Sequence, residues 1–432
     1  MEKLERKEKS NKRTIITIIL CFMMVLLGLG MWGPKGLFVA PITSALGISR
    51  SAYSLSDTFR YISTAIVNVF FGAMVAKLGS KKLILAGFIA LAGAATLYAV
   101  AESVVVFYLG GALLGIGLSW TGTTIVGYIV TRTCKKNRGT IMGFILAANG
   151  IGGAGATQIV SIFINEKGNP FGYRNAYFVM AGIFIAVFLV LLIFYKEPKK
   201  SMPTAEPQKK KVRGGGWIGI EYKSATKKTY FYWACVCILL TGMVLQGITS
   251  IYAAHMTDVG IDPTYVTLVA SVSSIALSVS KFLNGFLYDR AGLRVTITID
   301  CVAAVGVMAS LYFITNSPFG MVLAMVYAIL AAVALPLETV MLPIYANDLF
   351  GDKSFNKVLG IFVSVNQVGY ALGAPVINLC FDLLGSYKLA LIICSVLMLI
   401  VIVGLQFVIS SANREKRKII SAQACVGETA NA

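Results

Sequence analysis

Long apolar runs separated by short polar segments extend through the chain between its two polar tails. Each run has about 20 residues, the length that an α-helix needs to cross about 30 Å of hydrocarbon. In the first half the runs begin near Ile15, Tyr53, Leu83, Val104, Gly139 and Tyr177, and in the second half near Tyr230, Thr264, Val295, Gly320, Lys357 and Ala390. The short alternating segments of a β-barrel are not seen in this pattern. It therefore predicts an all-α membrane protein of about twelve transmembrane helices in two sets of six.

The composition agrees with this pattern. Hydrophobic residues make up 57% of the chain and charged residues 13%, and the mean hydropathy is +0.78. A soluble domain has about 25% charged residues. The composition therefore excludes an ordinary soluble protein.

Basic residues are concentrated in alternate polar segments, which would all lie on one side of a twelve-helix protein. These segments are the N-terminal tail, 77–82, 132–138, the middle linker, 290–294 and 414–418. The opposite segments are short and hold few cations. The net charge of +19 therefore follows the positive-inside rule and does not indicate nucleic-acid binding. It predicts a multi-pass protein of the cell membrane with both termini in the cytoplasm.

The same segments predict five parts. A basic cytoplasmic tail (1–13) precedes an N-terminal six-helix bundle (14–196), and a cytoplasmic linker (197–228) leads to a C-terminal six-helix bundle (229–410) and a cytoplasmic tail (411–432). The basic linker either sets the topology or binds anionic membrane lipid. The first apolar run has full spanning length and no cleavage site after it, so we expect a transmembrane helix and not a signal peptide.

An internal duplication relates the two halves. The segment Gly285-Phe-Leu-Tyr-Asp289-Arg290-Ala-Gly292-Leu-Arg294 has a less complete copy from Gly72 through Gly79, at an offset of 213 residues (285 − 72). A second offset of 217 residues (360 − 143) relates Gly143, Asn149 and Gly152 to Gly360, Asn366 and Gly369, and Tyr128 to Tyr345. Such repeats are common in secondary transporters.

These residues resemble the major facilitator superfamily, whose loops after the second and eighth helices carry a pattern close to G-x-x-x-D-R-x-G-x-[RK]. The resemblance implies two six-helix bundles related by a pseudo-two-fold axis, with transport by alternating access. It also implies a gating role for Gly285, Asp289, Arg290, Gly292 and Arg294, and for Gly72 and Gly79 in the other copy. We expect Asp289 and Arg290 to latch the bundles together near the N-terminus of the fifth helix, where unpaired N–H groups favour an anion.

Two lysines resemble substrate-binding positions of the monocarboxylate and oxalate/formate transporters within that superfamily. Lys35 follows Pro34 near the predicted outer end of the first helix, and Lys281 precedes Gly285 by one helical turn. The resemblance implies that both contact a substrate carboxylate. An ammonium in hydrocarbon costs about 2.5–3.5 kcal/mol on insertion scales, so a buried lysine usually faces water, a counter-ion or a substrate. Snorkelling to the interface is the alternative for both.

Other polar residues within the apolar runs are candidates for the transport path. Glu338 is interpreted as the one acid deep within a helix, either as a proton-coupling site or as a static ion pair near Lys281. Asp57 and Arg60 are expected to form a pair within the second helix or an external gate. The uncharged candidates line the path or join helices by hydrogen bonds; they are Trp120, Tyr128, Asn149, Gln246, Tyr252, Asn284, Asn366, Gln367 and Tyr370.

The sequence thus predicts a secondary active transporter of small organic anions, with monocarboxylates the favoured class, working as a proton symporter or an anion exchanger. A proton-coupled drug or cation exporter of the same superfamily and a non-transporting membrane sensor are the alternatives. No nucleotide-binding loop or metal-binding spacing is found, so we expect neither an enzyme nor a cofactor. The expected partners are the organic anion, protons or a counter-anion, and membrane lipid, and we expect a monomer.

Overall fold

The computed structural model describes residues 14–133, 138–166, 169–197, 219–351 and 353–430. The N-terminal tail and most of the linker lie outside these residues. Eleven helices of the described residues are long and apolar enough to cross a membrane, and one of them holds two crossings. The chain is therefore a multi-pass membrane protein, as its hydrophobic pattern predicts.

Six transmembrane helices form the N-terminal bundle. They are α1 (Thr14–Leu46), α2 (Arg50–Leu78), α3 (Ser80–Val100), α4 (Val104–Thr121, continued by Thr123–Thr133), α5 (Arg138–Ile164) and α6 (Gly172–Phe194).

Six more form the C-terminal bundle, after a short helix at Tyr222–Ala225. They are α7 (Thr229–Asp258), α8 (263–291), α9 (293–313), α10 (Pro318–Ala334, continued by Pro336–Thr339 and Met341–Phe350), α11 (Phe355–Leu384) and α12 (Lys388–Ala430). The predicted C-terminal tail thus continues α12 as a helix as far as Ala430.

The duplicated turns have the same backbone conformation in both halves. Gly79 ends α2 at φ 82° and ψ 162°, and Gly292 separates α8 from α9 at φ 79° and ψ 171°. Positive φ also occurs at Gly47 (62°) and Gly260 (94°), which are related by the same offset. Glycine adopts this conformation without the steric penalty of a Cβ atom. The repeat therefore preserves the turns between helices as well as the helices.

Each bundle has its own hydrophobic core. One cluster of buried side chains runs from Leu20 to Tyr195 and includes Ala254 of α7, and the other runs from Ile220 to Ala412. Large apolar side chains such as Ile193 and Val403 are exposed on the outside of the bundles. This is the arrangement expected where lipid takes the place of water.

The two bundles meet on the side opposite the termini. There α2 packs against α11, α5 against α8, and α1 against α7. Polar contacts join them, since Arg50 at the start of α2 binds Asp258 at the end of α7 and the Gln158 amide donates to Ser271 Oγ at 2.8 Å. The bundles are therefore closed on this side.

On the side of the termini the bundles are apart. A Cβ atom at Gly72, Gly143 or Gly285 would meet no other atom within 4 Å. Val69 on α2 and Phe282 on α8 are 77% and 79% exposed, although they lie on helices that meet the opposite bundle further along. The molecule is therefore open toward the side of its termini.

Candidate functional site

A cavity of about 310 Å³ lies between the bundles, near the middle of the helices. Its walls come from α1, α2, α4 and α5 of one bundle and from α7, α8, α10 and α11 of the other. The charged residues that line it are Lys35, Arg60, Lys281 and Glu338. This size is within the range of about 300–1,000 Å³ that is usual for small-molecule sites.

An irregular segment of α1 places Lys35 in this cavity. The helix changes to a π-helix over Val25–Leu29 and to a 3₁₀-helix over Gly30–Phe38, with non-helical angles at Pro34. Proline has no backbone N–H and cannot continue the regular hydrogen-bond pattern. The expectation that Lys35 lies near the outer end of the first helix is wrong, because α1 continues beyond it to Leu46.

Close packing against α5 holds this irregular segment in place. A Cβ atom at Gly30 would lie 2.7 Å from the Gly152 backbone, and one at Gly33 would lie 3.0 Å from the Gly153 Cα atom. Small residues let transmembrane helices approach this closely. The position of Lys35 is therefore set by backbone contact between α1 and α5.

Lys35, Asp57 and Arg60 form a cluster on the N-terminal bundle side of the cavity, which we call the α1–α2 charge cluster. Lys35 Nζ is 3.1 Å from Asp57 Oδ2, and Arg60 Nη2 is 2.9 Å from Asp57 Oδ1. The guanidinium group also lies 4.2 Å from the centre of the Tyr61 ring. One carboxylate between two cations leaves one positive charge in excess. Unless it is paired, such a charge is costly to hold away from water.

The Arg60 guanidinium group of this cluster has N–H groups that can donate further hydrogen bonds. Its Nε and Nη2 atoms are buried and have no aligned acceptor among the described residues, although Nη2 is within ion-pair distance of Asp57. Guanidinium N–H groups bind carboxylates through charge-assisted hydrogen bonds. The α1–α2 charge cluster is therefore equipped to bind an anion. The gating role predicted for Asp57 and Arg60 stays a prediction.

Lys281 of α8 faces the same cavity from the C-terminal bundle. Ser274 and Ser278 also line the cavity, and the spacings of four and three residues place all three side chains on one face of α8. Lys281 has no ion-pair or hydrogen-bond partner among the described residues. Each bundle thus contributes at least one cation to the shared cavity.

Glu338 lies where α10 is interrupted, in the short segment Pro336–Thr339. Its side chain is buried, it lines the central cavity beside Tyr370 of α11, and its Oε1 atom has no partner among the described residues. Glu338 and Lys281 line one cavity, but the described ion pairs do not join them. Tyr370 also meets Tyr61 of the other bundle, with ring centres 5.2 Å apart.

The uncharged candidates separate into four groups. Asn149, Gln246, Tyr252 and Tyr370 line the central cavity, and Asn366 lines a smaller one that Glu338 also reaches. Trp120 and Tyr128 pack within the N-terminal bundle, where the Arg132 guanidinium lies 4.6 Å from the centre of the Tyr128 ring. Asn284 and Gln367 lie away from the lining of the central cavity. Substrate contact by any of these residues stays a prediction.

One interpretation from the sequence is wrong: Glu338 is not the one acid deep within a helix. Asp300 of α9 is fully buried and accepts a hydrogen bond of 2.7 Å from Asn284 of α8. It was missed because it follows Arg294 so closely that it could belong to the polar turn. The turn ends at Gly292, and Asp300 lies two helical turns beyond it.

The closed side depends on residues that no motif predicted. The Arg50 guanidinium donates to both Asp258 oxygens at 2.6 and 2.7 Å and to the Tyr387 hydroxyl at 3.1 Å. Asp382 of α11 accepts hydrogen bonds from the first two N–H groups of α2, at 3.0 and 2.9 Å. A carboxylate is favourable at a helix N-terminus. The partners are more than 200 residues apart, so local sequence patterns do not reveal them.

Among the described residues, the predicted latch residues have no partner in the opposite bundle in this open arrangement. Asp289 and Arg290 are exposed, and Arg290 lies over the Phe286 ring of its own helix. Arg294 donates to Ser410 Oγ of α12, within the same bundle. In the other copy the Ser80 N–H that follows Gly79 donates to Glu197 at 2.6 Å. A latch between bundles stays a prediction for the conformation that is closed on this side.

Comparisons with known proteins agree on the family. The chain is 24% identical over 332 residues to Monocarboxylate transporter 13 of Bos taurus, covering 76% of this chain and 73% of the relative. It is 22% identical over 352 residues to Sialic acid transporter NanX of Escherichia coli (strain K12), covering 78% and 79%. Its fold is similar to the crystal structure of the nucleoside transporter NupG, with a TM-score of 0.73 and 15% identity over 92% of this chain and 98% of that one.

The sequence profile of the Major Facilitator Superfamily matches residues 20–334 and 234–424, which together include nearly all of both bundles. The paired bundles, the repeated glycine turns and the central cavity agree with that match. The chain therefore belongs to the major facilitator superfamily of transporters.

Proposed function

We propose that this chain is a secondary active transporter of small organic anions, with monocarboxylates the favoured class. One observation supports this most directly. Lys35 and Arg60 of one bundle and Lys281 of the other line the same cavity. Asp57 is already bound to the first two, and Lys281 has no acidic partner among the described residues. An anion would supply the missing negative charge.

The arrangement also explains how binding drives the conformational cycle. A carboxylate has two oxygens that accept hydrogen bonds, so it can bind the Arg60 guanidinium and the Lys281 ammonium together. The bundles approach each other when both contacts form, which favours closure on the side that is open here. A ligand shifts a conformational equilibrium only through such differential contacts. Alternating access then moves the anion across the membrane.

Two relatives support this substrate class. Their names assign one to monocarboxylates and the other to sialic acid, and both substrates are carboxylic acids. The structural relative, a nucleoside transporter, supports the fold alone.

Glu338 is the proposed proton-coupling residue. It reaches the cavity wall and has one carboxyl oxygen without a partner among the described residues. Its protonation would remove a negative charge from the site as the anion brings one in. If the proton and the anion cross the membrane together, the protein is a proton symporter. If a second anion is carried back in place of proton coupling, the protein is an anion exchanger.

The proposed orientation has both termini and the linker in the cytoplasm of a cell with this protein in its cell membrane. Positive charge then lies on the inner side, as the topology rule requires. The present conformation is in that case open to the cytoplasm. We propose that a single chain is the working unit, since the cavity is complete within it.

A proton-coupled exporter of cationic compounds is the second candidate. Asp57 and Glu338 favour it, because intramembrane carboxylates suit a cationic substrate. The excess of cations in the same cavity favours an anion. A membrane sensor that binds without transport is the third candidate.

A ligand screen followed by transport separates these candidates. The purified protein is tested by thermal shift against matched panels of small carboxylic acids and of organic cations, since a bound ligand stabilises the folded state. Radiolabelled hits are then tested for uptake into proteoliposomes. Carboxylate stabilisation with uptake supports the proposal, and stabilisation without uptake indicates a sensor. A response to cations alone would contradict the proposal.

A further inference from the structure

A row of contacts joins α2 to α11 from the closed side down to the central cavity. The two helices run antiparallel, since α2 begins and α11 ends on the closed side. In order from that side, the contacting pairs are Ser51 with Asp382, Ser54 with Asn378, Thr58 with Ala371, and Tyr61 with Tyr370. Steps of three and four residues along α2 place its four members on one face. We call this set the α2–α11 ladder, and its last pair lines the cavity.

The third pair of the ladder follows from a proline in α11. Pro375 has no backbone N–H, so the buried Ala371 carbonyl lacks the donor that an α-helix normally supplies four residues later. The Thr58 hydroxyl donates to this carbonyl from the opposite bundle. A backbone carbonyl without a donor is costly inside a membrane protein. A side chain of one bundle therefore satisfies the backbone of the other in this conformation.

Asn378 joins the ladder to the ion pair that closes this side. Its side chain is 0% exposed, and its amide donates to Ser54 Oγ at 2.8 Å and to the Ala374 carbonyl at 2.9 Å. Its oxygen accepts from the Tyr387 hydroxyl at 2.6 Å, and that hydroxyl accepts from the Arg50 guanidinium. Hydrogen bonds in such a chain polarise one another. Both amide N–H groups of Asn378 are used, and one of them binds the opposite bundle.

The third pair also lies next to residues of the candidate site. Thr58 belongs to the same turn of α2 as Asp57 and Arg60 of the α1–α2 charge cluster, and Ala371 directly follows Tyr370, which lines the central cavity. Thr58 itself lies outside the lining of that cavity. Its influence on the site therefore acts through the position of its neighbours and not through contact with a ligand.

The ladder can form only when the bundles are closed on this side. Each of its pairs joins one bundle to the other, so the pairs separate when that side opens. Contacts that exist in one conformation and not in the other shift the equilibrium between them. The ladder therefore favours the conformation seen here, and in that conformation it holds the charged turn of α2 against α11.

We propose that Thr58 and Asn378 are positioning residues that link closure on this side to anion binding in the central cavity. They hold the turn with Asp57 and Arg60 in place, so that Arg60 and Tyr370 face the cavity in a fixed arrangement. The link to an anion rests on the proposed function. The coupling between the ladder and the charged turn of α2 does not.

Amide hydrogen–deuterium exchange of the purified protein in lipid nanodiscs tests that coupling without a ligand. Thr58→Val removes the hydroxyl and keeps a similar shape. We expect exchange in 57–61 and 370–374 to become about 10-fold faster, because a buried carbonyl loses its donor. Thr64→Val is the matched control on the same helix. Its hydroxyl donates to a carbonyl of α4 within its own bundle, so α11 should exchange as in the wild type.

Two further changes test the second pair and the role of the proline. Asn378→Leu should speed exchange in the same segments, and Ser54→Ala removes the other end of the same bond if Asn378→Leu does not fold. Pro375→Ala restores an N–H that can donate to the Ala371 carbonyl, so Thr58→Val should have a smaller effect in that background. An equal effect in both backgrounds would overturn the role assigned to Thr58.

Equilibrium binding of radiolabelled propionate, a small monocarboxylate, tests the link to the site. We expect Thr58→Val and Asn378→Leu to weaken binding about 10-fold, although neither residue lines the cavity, and Thr64→Val to bind as the wild type does. Wild-type exchange in both variants would overturn the proposal. Faster exchange with unchanged affinity would also overturn it, because the ladder would then close this side without affecting the site.

Failure of the proposed function has a different outcome. If the wild type binds no propionate, the monocarboxylate assignment is contradicted. The exchange measurements then still decide whether the ladder is coupled to the charged turn of α2, because they need no ligand.

Discussion

At the scale of residues, the main feature of the cavity is an excess of positive charge shared between two bundles. Asp57 neutralises one of the two cations beside it, and Lys281 has no acid paired with it among the described residues. Sequence reasoning identified both lysines as candidates. It did not predict that Lys35 and Arg60 both bind Asp57. The contact between Lys35 of α1 and Asp57 of α2 depends on the irregular part of α1, which local patterns do not reveal.

Removing the lysine charge should abolish most transport. In Lys281→Ala the anion loses a charge-assisted hydrogen bond worth about 1.5–3 kcal/mol, so uptake per unit concentration should fall about 10- to 100-fold. Lys35→Ala leaves Asp57 to neutralise Arg60, so the cluster loses its excess positive charge and uptake should fall as well. Uptake of the best carboxylate into proteoliposomes measures this. The exposed Lys353→Ala is the matched control and should transport normally. Wild-type uptake in both cavity variants would contradict a substrate role for the lysines.

Glu338 should set the dependence of transport on pH. If it carries the coupling proton, wild-type uptake rises when the entry side is made acidic, and Glu338→Gln loses that rise because the amide cannot ionise. Initial uptake rates at several external pH values measure the effect. A pH profile of Glu338→Gln that matches the wild type would remove Glu338 as the proton site.

At the scale of elements, the crossing of α5 and α8 closes the two bundles on the side opposite the termini. A Cβ atom at Gly150 would overlap the Ser278 side chain and the Ser274 carbonyl oxygen. The Ser278 hydroxyl also donates to the Ala147 carbonyl at 3.3 Å. The structure shows that Gly150 packs against α8 and that Gly152 packs against α1.

A methyl group at Gly150 should push these helices apart. We expect Gly150→Ala to increase hydrogen–deuterium exchange in α5 and α8 on the closed side and to slow transport at least several-fold. Gly155→Ala is the matched control on the same helix, because its Cβ would meet no other atom within 4 Å. Both changes favour helix formation equally, by about 1 kcal/mol. Equal exchange in the two variants would show that the crossing tolerates a side chain.

At the scale of the whole molecule, different groups close its two sides. The side opposite the termini is held by Arg50 with Asp258 and by Asp382 at the N-terminus of α2. On the side of the termini the latch residues Asp289 and Arg290 are exposed and have no partner in the opposite bundle among the described residues. The two sets of contacts should therefore bias the conformational equilibrium in opposite directions.

Arg50→Gln should destabilise the closed side. The change removes hydrogen bonds between charged groups, each worth about 1.5–3 kcal/mol. We expect faster amide exchange at the ends of α2 and α7. Combining it with Asp258→Asn should add little, because the two residues act as one pair. An additive effect of the two changes would contradict direct coupling.

Asp289→Asn should shift the conformational equilibrium in the direction opposite to the shift expected for Arg50→Gln. If Asp289 latches the bundles in the other conformation, its loss favours the arrangement seen here. Exchange at the ends of α5 and α8 near the termini should rise, and the transport rate should fall. A variant with unchanged exchange and transport would show that no latch forms.

The sequence by itself determined the membrane class, the two sets of six helices and the repeated glycine segments between them, and it indicated Lys35 and Lys281 as candidates for the site. These features follow from local physics: hydrocarbon thickness sets helix length, glycine permits positive φ, and a lone cation is costly in an apolar run. The tertiary structure decided which side is closed, that Lys35 and Arg60 both bind Asp57, and that Asp300 is buried against Asn284. Those features depend on contacts between helices far apart in the chain, whose geometry no local pattern contains.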